Sequence, residues 1–101
     1  MDEIDQHRVT QLLAIMRPDQ LLALAALLAE GLGHLAAVPD TERFDHVHRL
    51  HGSAATLGFA GLAAQLAATQ TSGAEMAALA AQAPRVVTLL AAALHGASSQ
   101  R

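Results

Sequence analysis

Residues 41 to 58 read TERFDHVHRLHGSAATLG. Phe44, Val47, Leu50, Ala54 and Leu57 recur at three- and four-residue steps, the spacing of one apolar helix face. Pro39 and Asp40 precede this run, with Asp40 as the N-cap, and Gly58 is a natural stop. The pattern predicts a helix over 41–57. Three of the chain's six histidines, His46, His48 and His51, fall on it. At about 100° per residue, His51 stands about 60° and His46 about 80° from the centre of the apolar face, on opposite flanks, and His48 about 120°. His48 is therefore the most solvent-directed imidazole. Gly52 lies one turn beyond it on the same side, where a glycine weakens a helix by about 1 kcal/mol relative to alanine.

Working outward, the rest of the chain also reads as helix. Ile4, Val9, Leu12, Leu13 and Met16 place a short first helix over 3–16. Pro18 and Asp19 suit the first turn of a second helix, over 18–38, whose stripe is Leu21, Leu24, Leu28, Leu32 and Leu35, widened by Leu22 and Leu27. The stripe reads as core, and its width leaves some apolar surface over for a partner or a dimer. A fourth helix is predicted over 59–71, anchored by Leu62 and Leu66. Ser72 and Glu75 have the spacing of a capping box and start a fifth, which runs to about Leu94 and is kinked or split by Pro84. Gly96 sits where a helix-ending glycine belongs, and residues 95–101 read as a frayed tail. No repeat or linker divides residues 1–101, so one domain is expected. Short connections between helices predict an all-α fold, an antiparallel four-helix bundle with an additional short N-terminal helix.

Composition agrees. Hydrophobic residues make up 52% of the 101, aromatics only 2%, and the apolar content is mostly Ala and Leu, both strong helix formers. There is no cysteine, hence no disulfide, thiolate metal site or cysteine nucleophile. The net charge is −3 and the six basic residues, all Arg, are dispersed, which disfavours nucleic acid. Arg without Lys suggests a GC-rich, bacterial genome. The N-terminus MDEIDQHRV is no signal peptide, and the apolar run Leu21 to Ala29 is too short to span a bilayer. The expectation is a soluble, cytoplasmic monomer without membrane contact, and Met1 together with the tail favours a free-standing protein.

An exposed imidazole is a good nucleophile near neutral pH and attacks phosphorus readily. A glycine one turn away removes a side chain where a partner must approach. His48-Arg-Leu-His51-Gly52-Ser53-Ala-Ala-Thr-Leu57-Gly58, followed by Leu62, resembles the H-x-L-K-G-S-x-x-x-L-G signature of histidine-containing phosphotransfer (HPt) domains. The resemblance implies a helical bundle that relays phosphoryl groups between receiver-domain aspartates. It implies that His48 is the phosphoacceptor, modified at Nε2 in that family, and that Leu50 and Leu57 are core. It also implies that Gly52 admits the receiver, with Arg49, Asp45 and Ala55 around it on the docking face. Gln70 corresponds to a glutamine that hydrogen-bonds near the acceptor imidazole. The family carries Lys three residues after the acceptor; here it is His51, which can donate a hydrogen bond but is fully charged only at lower pH.

The implied partners are response-regulator receiver domains and a hybrid sensor histidine kinase. No cofactor is expected on this chain; Mg²⁺ belongs to the receiver. There is no glycine-rich phosphate loop, nucleophile elbow or paired-carboxylate motif, so no ATP-dependent kinase or hydrolase activity is expected. Asp45, His48 and His51 have spacing suited to helical metal ligation, but no second Glu/His cluster accompanies them, and no metal site is assigned. The alternative is a helical interaction module, or a degenerate HPt domain, that docks receivers or partner helices without accepting phosphoryl.

Overall fold

The structure, a computed structural model, describes residues 4–99. Helix α1 spans Gln6–Leu13. The Asp5 carboxylate caps it by accepting from the His7 and Arg8 amides at 3.0 and 3.2 Å. It is shorter than the predicted 3–16: Ala14, Ile15 and Met16 close it in a tight turn, and Ile15 is exposed. Helix α2, Pro18–His34, follows with Pro at its first position and buries Leu21, Ala25, Leu28 and Leu32. A 3₁₀ turn over Leu35–Ala37 tightens its end and buries Leu35.

Helix α3, Arg43–Leu57, is entered through a 3₁₀ turn at Asp40–Glu42. Asp40 does not cap a backbone amide as expected. Its carboxylate pairs instead with Arg43 Nη2 at 2.7 Å, while Arg43 Nη1 donates to the Thr71 carbonyl at 3.1 Å. The far end of α3 closes in a Schellman motif: Gly58 N–H donates to the Ala55 carbonyl and Phe59 N–H to the Ala54 carbonyl, at 3.2 and 2.9 Å. Gly58 is left-handed, φ +89°. Phe59, 1% exposed, is thereby driven into the core at the start of α4, Ala60–Ala68.

Helix α4 stops three residues short of the predicted 71. Thr69 is extended, Thr71 has φ +61°, and the Glu75 carboxylate collects the amides of Gln70 and Ser72. The Ser72–Glu75 capping box forms as expected, with Glu75 N–H donating back to Ser72 Oγ at 3.1 Å. It starts α5, Gly73–Ala80. The predicted fifth helix divides there: α6 begins at Ala83 with Pro84 in its first turn, and the two are bent by 40°. Helix α6 runs through Gly96 to Ser99, so Gly96 does not end it and the predicted tail from His95 is helical to Ser99. Glycine lowers helix stability without forbidding the conformation. Gln100 and Arg101 lie outside the described residues.

Among the described residues there are six α-helices and no strand, in a compact all-α arrangement. The radius of gyration, 13.6 Å, is close to the ~13 Å of a 100-residue domain. Helix α2 is central, packing on α6, α3 and α5, and α3 lies along α4. Helix α1 is tied on by Asp5 N–H to the Gly58 carbonyl at 2.6 Å, Arg8 Nε to the Thr56 carbonyl at 3.0 Å, and Gln6 Nε2 to the Ala93 carbonyl at 2.8 Å. No polar or charged residue among those described is fully buried. Pro18–Ala37, at 20 residues and mean hydropathy 1.5, is longer than the apolar run read from sequence and has the length and apolarity of a membrane span. In this fold its Leu21, Leu28, Leu32 and Leu35 form core.

Gly58 is a position where a side chain is poorly tolerated. An added Cβ would meet Arg8 Cβ and the Asp5 carbonyl oxygen, each at 3.2 Å, on a left-handed backbone. Gly58→Ala is expected to lower unfolding stability by about 2 kcal/mol, read from urea denaturation; an unchanged midpoint would show that the α1–α3 corner does not need the glycine.

Candidate functional site

Helix α3 positions the candidate residues. Val47, Ala54 and Leu57 are buried and Leu50 half-buried, so that face turns inward. His46 and His51 are half-buried on its flanks, and His48 is exposed, as the projection predicts. Asp45, Arg49, Gly52 and Ala55 are exposed. Around the helix axis Phe44, Ala55, His48 and Gly52 fall within a sector of about 80°.

Phe44 is a correction. Its spacing places it in the apolar stripe, yet it is 72% exposed. With the buried face centred among Val47, Leu50, Ala54 and Leu57, Phe44 stands about 100° from the centre and only about 40° from His48. Its ring stacks on the His48 imidazole, with centroids 6.4 Å apart and planes inclined by 9°.

Two glycines facing the same helix pair differ in what they do. Gly31 on α2 is a close approach, since an added Cβ would meet Leu50 Cδ2 at 2.6 Å. Gly52 has nothing within 4 Å of an added Cβ. The fold makes no steric demand for glycine there, one turn past the exposed imidazole.

Beside Gly52 an open groove of about 430 Å³ runs between α2 and α3. Leu24 and Leu27 supply its apolar wall, and Arg49, Ser53 and Thr56 the polar one. The Leu stripe of α2 is thus only partly core: Leu24 is 38% and Leu27 63% exposed. The sequence held a signal for this in the width of the stripe, which exceeds what one helix can bury on one side. A second cleft, between α4 and α5, has its polar groups joined to one another: Gln82 Nε2 donates to Gln65 Oε1.

Gln70 is the second correction. It falls in the α4–α5 loop, not on a helix, and no hydrogen bond among the described residues joins its side chain to His48. Its amide donates to Glu75 at 3.1 and 3.2 Å. That bond, then those from Ser72, hold the Glu75 carboxyl below its ordinary range. No group of three or more histidine or carboxylate side chains suited to a metal ion occurs among the described residues. Comparison with known proteins finds no match to a protein family, a curated protein or a solved structure.

Because an added Cβ at Gly52 meets nothing within 4 Å, Gly52→Ala is expected to raise stability by up to about 1 kcal/mol through helix propensity alone. Urea denaturation checks this; a lowered midpoint would mean that the fold itself requires the glycine.

Proposed function

We propose that this chain is a histidine-containing phosphotransfer domain, relaying phosphoryl groups between receiver aspartates through phosphohistidine at His48. Its framework is then an antiparallel four-helix bundle of α2, α3, α4 and the bent α5–α6 pair, with α1 as the additional short helix. The observation that carries the reading is the pairing of an exposed His48 with a Gly52 for which the fold has no steric use, beside an apolar groove. A helix spends about 1 kcal/mol on such a glycine, and close approach of a partner accounts for it.

In the proposed reaction a receiver docks over the Leu24–Leu27 wall and the small-residue surface at Gly52 and Ala55. The Nε2 lone pair of neutral His48 forms the N–P bond as the P–O bond to the receiver's aspartate breaks, and the carboxylate leaves with the bonding pair. The imidazole takes up the positive charge, with its proton on Nδ1. In-line geometry and charge neutralisation dominate such transfers. The receiver brings Mg²⁺, which neutralises phosphoryl charge. On this chain Arg49 supplies fixed positive charge at the groove edge, and His51, in the family's Lys position, supplies a hydrogen-bond donor from the flank. Gln70 has no assigned contact in this scheme. The partners are receiver domains and a hybrid sensor kinase, in a bacterial cytoplasm, with the chain acting as a monomeric carrier without ATP-dependent activity.

A second reading keeps the docking surface and drops the chemistry: the exposed leucines of the groove would seat a receiver or a partner helix, with His48 a bystander. Intact-mass measurement after mixing with a phosphorylated receiver and Mg²⁺ separates the two. The expected product gains one phosphoryl group, acid-labile and alkali-stable, mapped to His48. His48→Gln is expected to abolish it with helicity intact; normal uptake by that variant would move the acceptor elsewhere. Gly52→Gln is expected to slow transfer from the receiver about tenfold or more, with phosphorylation by phosphoramidate retained. Equal losses with both donors would count against docking at Gly52.

A further inference from the structure

Phe44 is the largest side chain that the core leaves to solvent beside the candidate acceptor, at 72% exposure. An aromatic ring in water gains little for the fold. Its only ring contact among the described residues is the stacked one with His48. The two rings are nearly parallel, at 9°, with centroids 6.4 Å apart, a strongly offset pair near the far end of the aromatic-pair range. Both residues are on α3 at a spacing of four, so the contact is set by the helix itself and not by a distant segment.

That geometry has a specific chemical consequence. The lone pair of an imidazole nitrogen lies in the ring plane, so the ring reacts along its edge. A ring held parallel beside the imidazole in this way leaves its edge open. It also restrains rotation about the two side-chain torsions of His48, which an exposed histidine otherwise samples freely. We infer that Phe44 is a positioning residue, stacking on His48 to hold the imidazole edge toward an incoming phosphoryl donor. The inference rests on the phosphotransfer reading of His48. A donor delivered in one fixed orientation by a docked receiver benefits from this restraint. A small donor that approaches from any direction does not.

The test uses Phe44→Ala, Phe44→Leu and Phe44→Tyr in the full chain. Leu keeps apolar area without the ring; Tyr keeps the ring. Two readouts are taken: the His48 ring-proton resonances, and single-turnover transfer from a phosphorylated receiver at saturating concentration, with phosphoramidate as the undirected donor. In Ala and Leu variants the His48 resonances are expected to move as the aromatic ring current is lost. The saturated receiver rate is expected to fall about three- to tenfold, with the phosphoramidate rate little changed. Tyr is expected to restore both. The inference is overturned if Leu matches wild type at saturation, or if it only raises the receiver concentration needed, since Phe44 would then be a docking contact. It is equally overturned if the His48 resonances do not move. Should wild type take no phosphoryl from any receiver while accepting it from phosphoramidate, the phosphotransfer reading fails and Phe44 loses its role in transfer; unmoved resonances beside normal wild-type transfer would sink the stacking alone.

Discussion

The turn at Gly58 is the constraint on which the other elements depend. A left-handed residue at that point ends α3, and the same two hydrogen bonds that end it aim Phe59 inward. Phe59 is the largest side chain in a core otherwise made of Leu, Val, Ala and Met. The Gly58 carbonyl also receives the Asp5 amide, and Arg8 reaches back to Thr56. One backbone conformation thus sets the direction of α4, buries the main aromatic group and docks α1. With few bulky side chains to lock helices together, such backbone contacts carry more of the specificity than they would in a core rich in aromatics.

Much of the fold was legible because its punctuation is chemical and local. Pro18 at a first helical position, the Ser72–Glu75 reciprocal cap, the Gly58 stop and the break ahead of Pro84 each follow from the hydrogen bonds a residue can make or the dihedrals it can adopt. The end of α4 was not legible. Thr69, Gln70 and Thr71 are tolerable in a helix, and what ends it is Glu75, five residues after Gln70, drawing the amides away. Gly96 misled in the opposite sense, because a glycine that permits an ending does not impose one.

The candidate site divides along the same line. Exposure of His48 and the flanking positions of His46 and His51 follow from rotation about a helix and needed no tertiary information. Phe44 was misplaced because hydrophobicity was taken as burial, and a border position is settled only by which neighbouring helix covers it. Leu24 and Leu27 show the same limit: period counting shows that the stripe is wide enough to leave apolar surface over, not which edge of it stays open.

The contact between Gly31 and Leu50 carries a consequence for the shape of this surface. Gly31 does not line the groove, yet the absence of its side chain sets how near α2 comes to α3. Adding even one methyl group there turns the Leu50 side chain aside or spreads the two helices, and in the second case the gap between Leu27 and Gly52 about a turn away widens with them. The width of the groove is therefore adjustable from a half-buried position that does not line it. A substitution at Gly31 changes the shape of the groove while every residue that lines it stays the same.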